Sequence, residues 1–288
     1  MDQLRGMALV LVSATAFGAM AIFAQGAYGS GVGITTLLFL RFGIATIALH
    51  SITAVWRLPL PQGRNFWILG AIGMIAFVGQ ALCFFGALTL IPAGLVGLLL
   101  YLYPSLVVAF SLLLGHEAPT RAKLLALGCA TCGVALMAGL TPGANPLGVA
   151  LGLGAALIYA IYVMVGSRVL RREAAIPACT VMVSGAAIVF GAIVAIQGPQ
   201  WPTTSLGWSA ALAIGLVSTT LSIVTLLLGI QAIGPISAST LSTFEPVVTL
   251  ILAAIFLQEP ISLFQILGGS LVLAAVLVLA RLPAPPNP

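Results

Sequence analysis

Ten apolar stretches, each close to twenty residues long, run through this chain with only short polar connections between them. A helix needs roughly 20 apolar residues to cross the hydrocarbon core of a bilayer. In lipid every backbone N–H and C=O group needs a partner within the protein, which leaves helices and closed barrels as the structures that can span a membrane. We therefore predict ten membrane-spanning helices, at approximately 4–25, 32–55, 66–88, 93–115, 121–139, 147–167, 175–197, 207–229, 235–257 and 262–281.

The charge content excludes an ordinary soluble protein. Of the 288 residues, 61% are hydrophobic and 5% are charged, whereas a soluble domain is about 25% charged. The basic residues are spread over short connections and form no single patch, so nucleic acid is not a predicted partner. The expected partners are the lipid bilayer and a small-molecule substrate, and we expect the chain to be a monomer.

The basic residues also predict an orientation. If the N-terminus is cytoplasmic, nine of the ten basic residues fall on the cytoplasmic side, and the outer connections contain neither lysine nor arginine. This is the charge bias of bacterial inner-membrane proteins. The tenth basic residue, Arg41, lies inside the second stretch. The predicted location is the bacterial inner membrane, with both termini in the cytoplasm.

A displacement of 142 residues superimposes the first half of the sequence on the second. Pro104 then meets Pro246, and Glu117 meets Glu259. Five spans per half is an odd number, so the two halves must lie inverted in the membrane, as in many secondary transporters. The predicted fold is an all-α membrane protein with ten transmembrane helices in two inverted five-helix repeats. The predicted units are a first repeat at 1–140, an outer linker at 141–146, a second repeat at 147–282 and a cytoplasmic tail at 283–288.

Three motifs carry a resemblance to a known family: "LRFGIA" in the second stretch, "STFEPVV" in the ninth, and "FLQEPISLFQILGGSLVLAAVLVL" at the end. On these motifs the chain resembles the bacterial drug/metabolite transporter superfamily, built from two EamA-type repeats. The counterpart in the first half, "LLGHEAPTRAKLLALGCATCGVALM", is a weaker match. The chain is most similar to the amino-acid exporters, including the aromatic type. The resemblance implies export of such small metabolites.

Two charged residues lie within apolar stretches. Arg41 and Glu245 are roughly 13 and 15 Å from the nearer ends of their spans, close to the middle of a core about 30 Å thick. A charge at that depth costs about 2.5–3.5 kcal/mol, so both should face the protein interior. They could form a structural ion pair or bond to backbone carbonyls and water. Alternatively they line the transport path, where Arg41 could attract a carboxylate and Glu245 could titrate or hold an ammonium group.

Polar and aromatic side chains near the middle of other spans are further candidates for a substrate-binding cavity. These are Gln80 and Phe84 in the third stretch, Tyr101 and Tyr103 in the fourth, Tyr159 and Tyr162 in the sixth, and Ser218, Ser222 and Thr225 in the eighth. The hydroxyl groups could instead bond to their own helix or join neighbouring helices. The tyrosines lie too deep for an interfacial belt.

Prolines in the middle of two spans and acids at span ends predict local structure. Pro104 and Pro246 should break the fourth and ninth helices, because proline removes a backbone hydrogen bond. Glu117 and Glu259 each precede a proline and a new helix, where an acid suits the positive end of the helix dipole. We interpret both acids as structural.

The absence of chemical motifs argues against an enzyme. The "CATC" motif at Cys129 and Cys132 has no second cysteine pair or histidine nearby, so no metal or other cofactor is predicted. No nucleotide-binding loop or catalytic cluster is present in the sequence. The predicted function is secondary transport that exports small metabolites, with amino acids as the favoured class. The alternatives are a multidrug or other metabolite exporter of the same fold, and a non-transporting membrane scaffold.

Overall fold

The computed structural model describes residues 3–115, 119–140, 145–170 and 173–281. His116 and Glu117, most of the predicted linker and the predicted tail at 283–288 lie outside these ranges.

The first repeat contains eight α-helices. They are α1 (Gln3–Gly18), α2 (Met20–Tyr28), α3 (Ile34–Val55), α4 (Gly63–Ile72), α5 (Val78–Ala87), α6 (Ala93–Leu100), α7 (Tyr103–Leu113) and α8 (Arg121–Leu140). Helices α1 and α2 together form the first span, α4 and α5 the third, and α6 and α7 the fourth.

The second repeat contains seven α-helices. They are α9 (Pro146–Leu170), α10 (Ala175–Gln197), α11 (Ser205–Gly215), α12 (Ser222–Ile233), α13 (Pro235–Ser242), α14 (Phe244–Phe256) and α15 (Leu263–Arg281). Helices α11 and α12 form the eighth span, and α13 and α14 the ninth.

The predicted fold class is confirmed. Within the described ranges the structure is all-helical, and nine helical spans are long and apolar enough to cross a membrane. The remaining helix, α8, is 20 residues long and occupies the fifth predicted stretch. It packs along α15, so it belongs to the same bundle.

Helix pairing follows the duplication. The most extensive contacts join α8 to α15, α3 to α10, α1 to α12 and α5 to α9. The duplication makes α8 equivalent to α15 and α3 equivalent to α10, so each of these pairs joins two equivalent helices. It also makes the α1–α12 pair equivalent to the α5–α9 pair. The core of the molecule is therefore the interface between the repeats, where a secondary transporter places its substrate site.

Glycines allow the halves to approach each other closely. A Cβ atom on Gly73 would lie 2.0 Å from the carbonyl oxygen of Met182. A Cβ atom on Gly268 would lie 2.5 Å from the carbonyl oxygen of Gly133, and one on Gly133 equally close to that of Gly268. Small residues let helix backbones meet in this way inside membranes, so these glycines determine the helix spacing.

Two π-helical segments interrupt the third and eighth spans, at Gly73–Phe77 and Leu216–Leu221. The 142-residue displacement places the two segments almost on each other. Single π turns inside α-helices occur frequently at functional sites. Both segments face the repeat interface, since Gly73 meets α10 and a Cβ atom on Gly215 would lie 2.7 Å from Ile44 of α3.

The breaks predicted at the two prolines are present. Helix α6 ends at Leu100 and α7 begins at Tyr103, while α13 ends at Ser242 and α14 begins at Phe244. Each proline lies in the first turn of the helix that follows its break.

A third break, which the sequence analysis did not predict, separates α1 from α2 at Ala19. The carbonyl oxygen of Gly18 accepts a hydrogen bond from Thr249 Oγ1 at 3.1 Å. A Cβ atom on Gly18 would lie 2.9 Å from the carbonyl oxygen of Glu245. The first span therefore bends where it passes the kink of the ninth span.

Candidate functional site

Four tyrosines from both repeats form a continuous row between the halves. The ring centroids of Tyr101 and Tyr103 are 6.1 Å apart, those of Tyr103 and Tyr159 are 4.1 Å apart, and those of Tyr159 and Tyr162 are 4.8 Å apart. The last two pairs are stacked. Helix α9 presents Tyr159 and Tyr162, and the break in the fourth span presents the other two. The structure thus brings together all four tyrosines of the predicted site, and we call them the tyrosine row.

Glu245 lies at one end of the tyrosine row. The Tyr101 hydroxyl donates a hydrogen bond to the carbonyl oxygen of Ser242 and lies 3.3 Å from Oε2 of Glu245. Glu245 occupies the first turn of α14, where the helix dipole favours a negative charge. Its side chain is half-buried.

An aromatic chain extends from the other end of the tyrosine row. The ring of Tyr162 is 5.1 Å from that of Phe77, which is 6.5 Å from that of Phe42. Phe77 belongs to the first π-helical segment and Phe42 to α3. Neither phenylalanine was among the predicted site residues.

Arg41 lies beside this chain and is buried. Its Nε donates a hydrogen bond of 3.0 Å to Thr219 Oγ1 in the second π-helical segment. Its guanidinium carbon is 4.8 Å from the ring centroid of Phe42 and 5.2 Å from that of Phe85, within the range of cation–π attraction. The charge therefore joins the second span of one repeat to the eighth span of the other.

The two intramembrane charges have separate partners. Within the described ranges Arg41 and Glu245 form no ion pair with each other, since Arg41 bonds to Thr219 and Glu245 meets Tyr101. Arg41 also interacts electrostatically with Tyr162, and Glu245 with Tyr101, at opposite ends of the tyrosine row. Each charge is thus left without an opposite charge beside it.

Several polar atoms within the spans lack a hydrogen-bond partner in the described part of the chain. The buried side-chain atoms among them are the hydroxyl oxygens of Thr46, Ser105 and Ser218. The terminal nitrogens of Arg41 and the amide of Gln80 likewise make no hydrogen bond to the described residues. Gln80 is half-buried on α5.

Phe84 has a packing role in this structure. It is 7% exposed, and its ring meets that of Phe85 edge to face, with centroids 5.7 Å apart. Phe85, fully buried, is the ring that contacts Arg41. Phe84 therefore packs against the ring that contacts Arg41.

The predicted hydroxyl face of the eighth span bonds mostly to its own helix. Ser222 donates to the carbonyl oxygen of Ser218 at 2.9 Å, and Thr225 to that of Leu221 at 2.8 Å. The carbonyl oxygen of Ser222 accepts a bond from Ser13 of α1. The hydroxyls of Ser222 and Thr225 therefore bond to their own helix, and the carbonyl oxygen of Ser222 joins α12 to α1.

Thr219 is the hydroxyl that contacts Arg41, and it was not among the predicted site residues. The spacing of Ser218, Ser222 and Thr225 assumes 3.6 residues per turn, but the π-helical segment has a wider turn and rotates Thr219 towards Arg41. Thr219 also donates to the carbonyl oxygen of Ile214, five residues earlier. No local sequence pattern marks a π turn, so only the fold identifies this partner.

Glu259 caps a different helix from the one expected. Its carboxylate accepts hydrogen bonds from the backbone N–H groups of Ala93 (2.8 Å) and Gly94 (3.2 Å), at the start of α6. The position of Glu259 in the sequence predicted a role at the start of the following helix, α15. The structural role stands, but the helix it stabilises belongs to the other repeat.

Comparison with known proteins agrees with this architecture. The EamA-like transporter family matches residues 4–139 and again residues 146–281. The chain is 25% identical over 278 residues to "Uncharacterized transporter YcbK" of Bacillus subtilis, covering 91% of this chain and 88% of that protein. It is 25% identical over 284 residues to an "Uncharacterized transporter" of Archaeoglobus fulgidus, covering 96% of each.

A third relative and a solved structure extend the comparison. "Uncharacterized transporter sll1319" of Synechocystis is 25% identical over 236 residues, covering 78% of this chain and 71% of that protein. A crystal structure with 22% sequence identity aligns with a TM-score of 0.69 over 97% of this chain and 99% of that chain, which shows the shared fold. With both repeats matched and the site between them, the chain belongs to the EamA-like transporter family.

Proposed function

We propose that this transporter exports small carboxylate-bearing metabolites, with amino acids as the substrate class, across the bacterial inner membrane. The N- and C-termini would be cytoplasmic, as the distribution of basic residues predicts. The protein would work as a monomer by alternating access.

The observation that carries the substrate class is the state of Arg41. Its Nε is held by Thr219, while its terminal nitrogens have no partner among the described residues. A guanidinium presents paired N–H donors that match the two oxygens of a carboxylate. A substrate carboxylate at this position would complete the hydrogen bonding of the buried charge.

The tyrosine row supports a flat or aromatic side chain on the substrate. Tyrosine rings combine a large apolar face with a polar hydroxyl, and they accept aromatic partners by stacking. Tyr103, Tyr159 and Tyr162 are half-buried, so their rings are not completely enclosed by the protein. This supports the aromatic amino acids within the proposed class.

The duplicated breaks support alternating access. Each repeat carries one π-helical segment and one proline kink at equivalent positions, and these irregular segments surround the candidate site. Broken helices at the repeat interface are typical of transporters in which one repeat rocks against the other.

Counterflow in proteoliposomes tests this proposal with matched substrates. We expect labelled tyrosine and phenylalanine to exchange, and their decarboxylated analogues tyramine and phenethylamine to exchange at least about tenfold more slowly, because the amines lack the group that Arg41 would bind. Protein-free vesicles are the control. Exchange of the amines alone would favour the multidrug alternative, and no flux of any compound would leave the scaffold alternative.

A further inference from the structure

The Tyr101 hydroxyl lies between two acceptors but has only one proton. It donates to the carbonyl oxygen of Ser242 and lies 3.3 Å from Oε2 of Glu245. A distance of 3.3 Å is long for an O–H···O bond, whose usual range is about 2.5–3.0 Å. The carbonyl oxygen is the closer acceptor, so the phenolic proton belongs to the bond with Ser242.

The bond to Ser242 has a structural purpose. A helical N–H at position 246 would donate to the carbonyl oxygen of residue 242, but Pro246 has no N–H. An unpaired carbonyl at membrane depth is costly, and the protein must supply a donor from elsewhere. Tyr101 of the other repeat supplies it, and this contact joins the kinks of the fourth and ninth spans.

A proton on Glu245 would complete the remaining contact. With the phenolic proton directed at Ser242, the hydroxyl oxygen offers only lone pairs to Oε2 of Glu245. An ionised carboxylate is an acceptor only, whereas a protonated carboxyl group carries one O–H donor. A neutral Glu245 can donate a hydrogen bond to the Tyr101 hydroxyl, which in turn donates to the carbonyl oxygen of Ser242.

The geometry points to a proton-binding site at Glu245, in which Tyr101 is the positioning residue that links the bound proton to the kink of the ninth span. When the proton leaves, the carboxylate attracts the Tyr101 hydroxyl and the Ser242 carbonyl loses its donor. The kink then has a different hydrogen-bonding pattern in each protonation state. This inference rests on the proposed function, because it assigns the coupling ion to the same cavity.

No described cation lies beside Glu245 to balance the charge of its carboxylate, so proton binding is the way in which this charge is neutralised. The titratable groups that interact with it are Tyr101, Tyr103 of α7 and Tyr159 of α9. Helix α1 presents the backbone of Gly18, and no described cation forms an ion pair with the carboxyl group.

Glu259 provides the contrast within the same chain. Both of its carboxylate oxygens accept hydrogen bonds from backbone N–H groups, of Ala93 and Gly94. Such donors stabilise the ionised form. The Tyr101 hydroxyl, whose proton is donated to Ser242, provides no such stabilisation to Glu245.

Infrared spectroscopy of the full chain in lipid tests the site without any substrate. At about pH 7, where exposed carboxyl groups are ionised, we expect the parent to show the carbonyl stretch of a protonated carboxyl group. Glu245→Gln should remove this band, and the matched control Glu259→Gln should retain it. Tyr101→Phe should shift its frequency, because the protonated group loses its hydrogen-bond acceptor; a purely structural tyrosine would leave the band in place.

Flux measurements test the coupling. Under a pH gradient the parent should accumulate labelled substrate, up to about tenfold for each pH unit if one proton moves per substrate. Glu245→Gln should lose this accumulation, because its amide cannot take up or release a proton.

The possible failures are separable. If the band is missing from the parent or survives in Glu245→Gln, the proton site is refuted. If the gradient produces no accumulation while counterflow proceeds, the coupling is refuted and the proposed function stands. If no compound exchanges but the band behaves as expected, the proposed function fails and the proton site stands.

Discussion

Replacing Gly73 with alanine is expected to destabilise the transporter strongly and to lower its midpoint of thermal unfolding. The new Cβ atom would lie 2.0 Å from the carbonyl oxygen of Met182 and 2.8 Å from its Cα atom. These are backbone atoms of α10, which cannot rotate away as a side chain would. Overpacking typically costs about 1–3 kcal/mol, and a clash with backbone belongs at or above the upper end of that range.

Gly70→Ala is the matched control. It lies one turn earlier on the same helix, and a Cβ atom there would meet no other residue within 4 Å. The same chemical change should therefore leave stability unchanged or slightly improved, since alanine is the better helix former by about 1 kcal/mol. The midpoint of thermal unfolding in detergent compares the two variants. Equal midpoints would show that α4 and α10 do not meet as closely as described.

The second large effect is expected at Arg41, and it concerns transport more than stability. Arg41→Met should reduce amino-acid counterflow by about 10- to 100-fold, which corresponds to losing a charge-assisted hydrogen bond of about 1.5–3 kcal/mol. The fold should survive, because replacing a buried charge with an apolar side chain of similar size is often neutral or stabilising. Thr219 keeps its own bond to the Ile214 carbonyl in this variant.

Thr219→Val distinguishes the contribution of the Arg41–Thr219 hydrogen bond to stability from the contribution of Arg41 to transport. Valine has the shape of threonine but leaves Nε of Arg41 without its partner, at a cost of about 1–3 kcal/mol. We therefore expect the thermal midpoint to fall in Thr219→Val and to hold in Arg41→Met, while the transport rate falls most in Arg41→Met. Full exchange activity in Arg41→Met would remove Arg41 from the substrate site.

Sequence patterns were sufficient where the physical cause is local or periodic. Ten apolar stretches predicted the all-helical fold, and the fixed displacement predicted the pairing of the halves. Pro104 and Pro246 predicted the two kinks, since a missing N–H is a property of the residue itself. The depth of Tyr101 and Tyr159 along their spans placed the tyrosines at the centre of the molecule rather than at an interface.

Contacts between the repeats could not be predicted from local sequence patterns. Glu259 caps α6, more than 160 residues away in the chain, and nothing near Glu259 specifies that helix. Thr219 was passed over because a π turn has no local signature, and the bend at Ala19 depends on the neighbouring ninth span. Each of these features arises where two distant segments pack together.

The two repeats share a backbone architecture but carry different side chains at equivalent positions, and this difference has a consequence for the transport cycle. The displacement that superimposes the π-helical segments places Phe77 on Thr219 and Val183 on Arg41. The polar contact between Arg41 and Thr219 thus joins the second and eighth spans, while apolar side chains occupy the corresponding positions of the seventh and third spans. In the proposed alternating-access cycle, the inward- and outward-facing states of the empty carrier would therefore differ in energy and in population. A few side chains are enough to bias an otherwise symmetric carrier towards one side of the membrane.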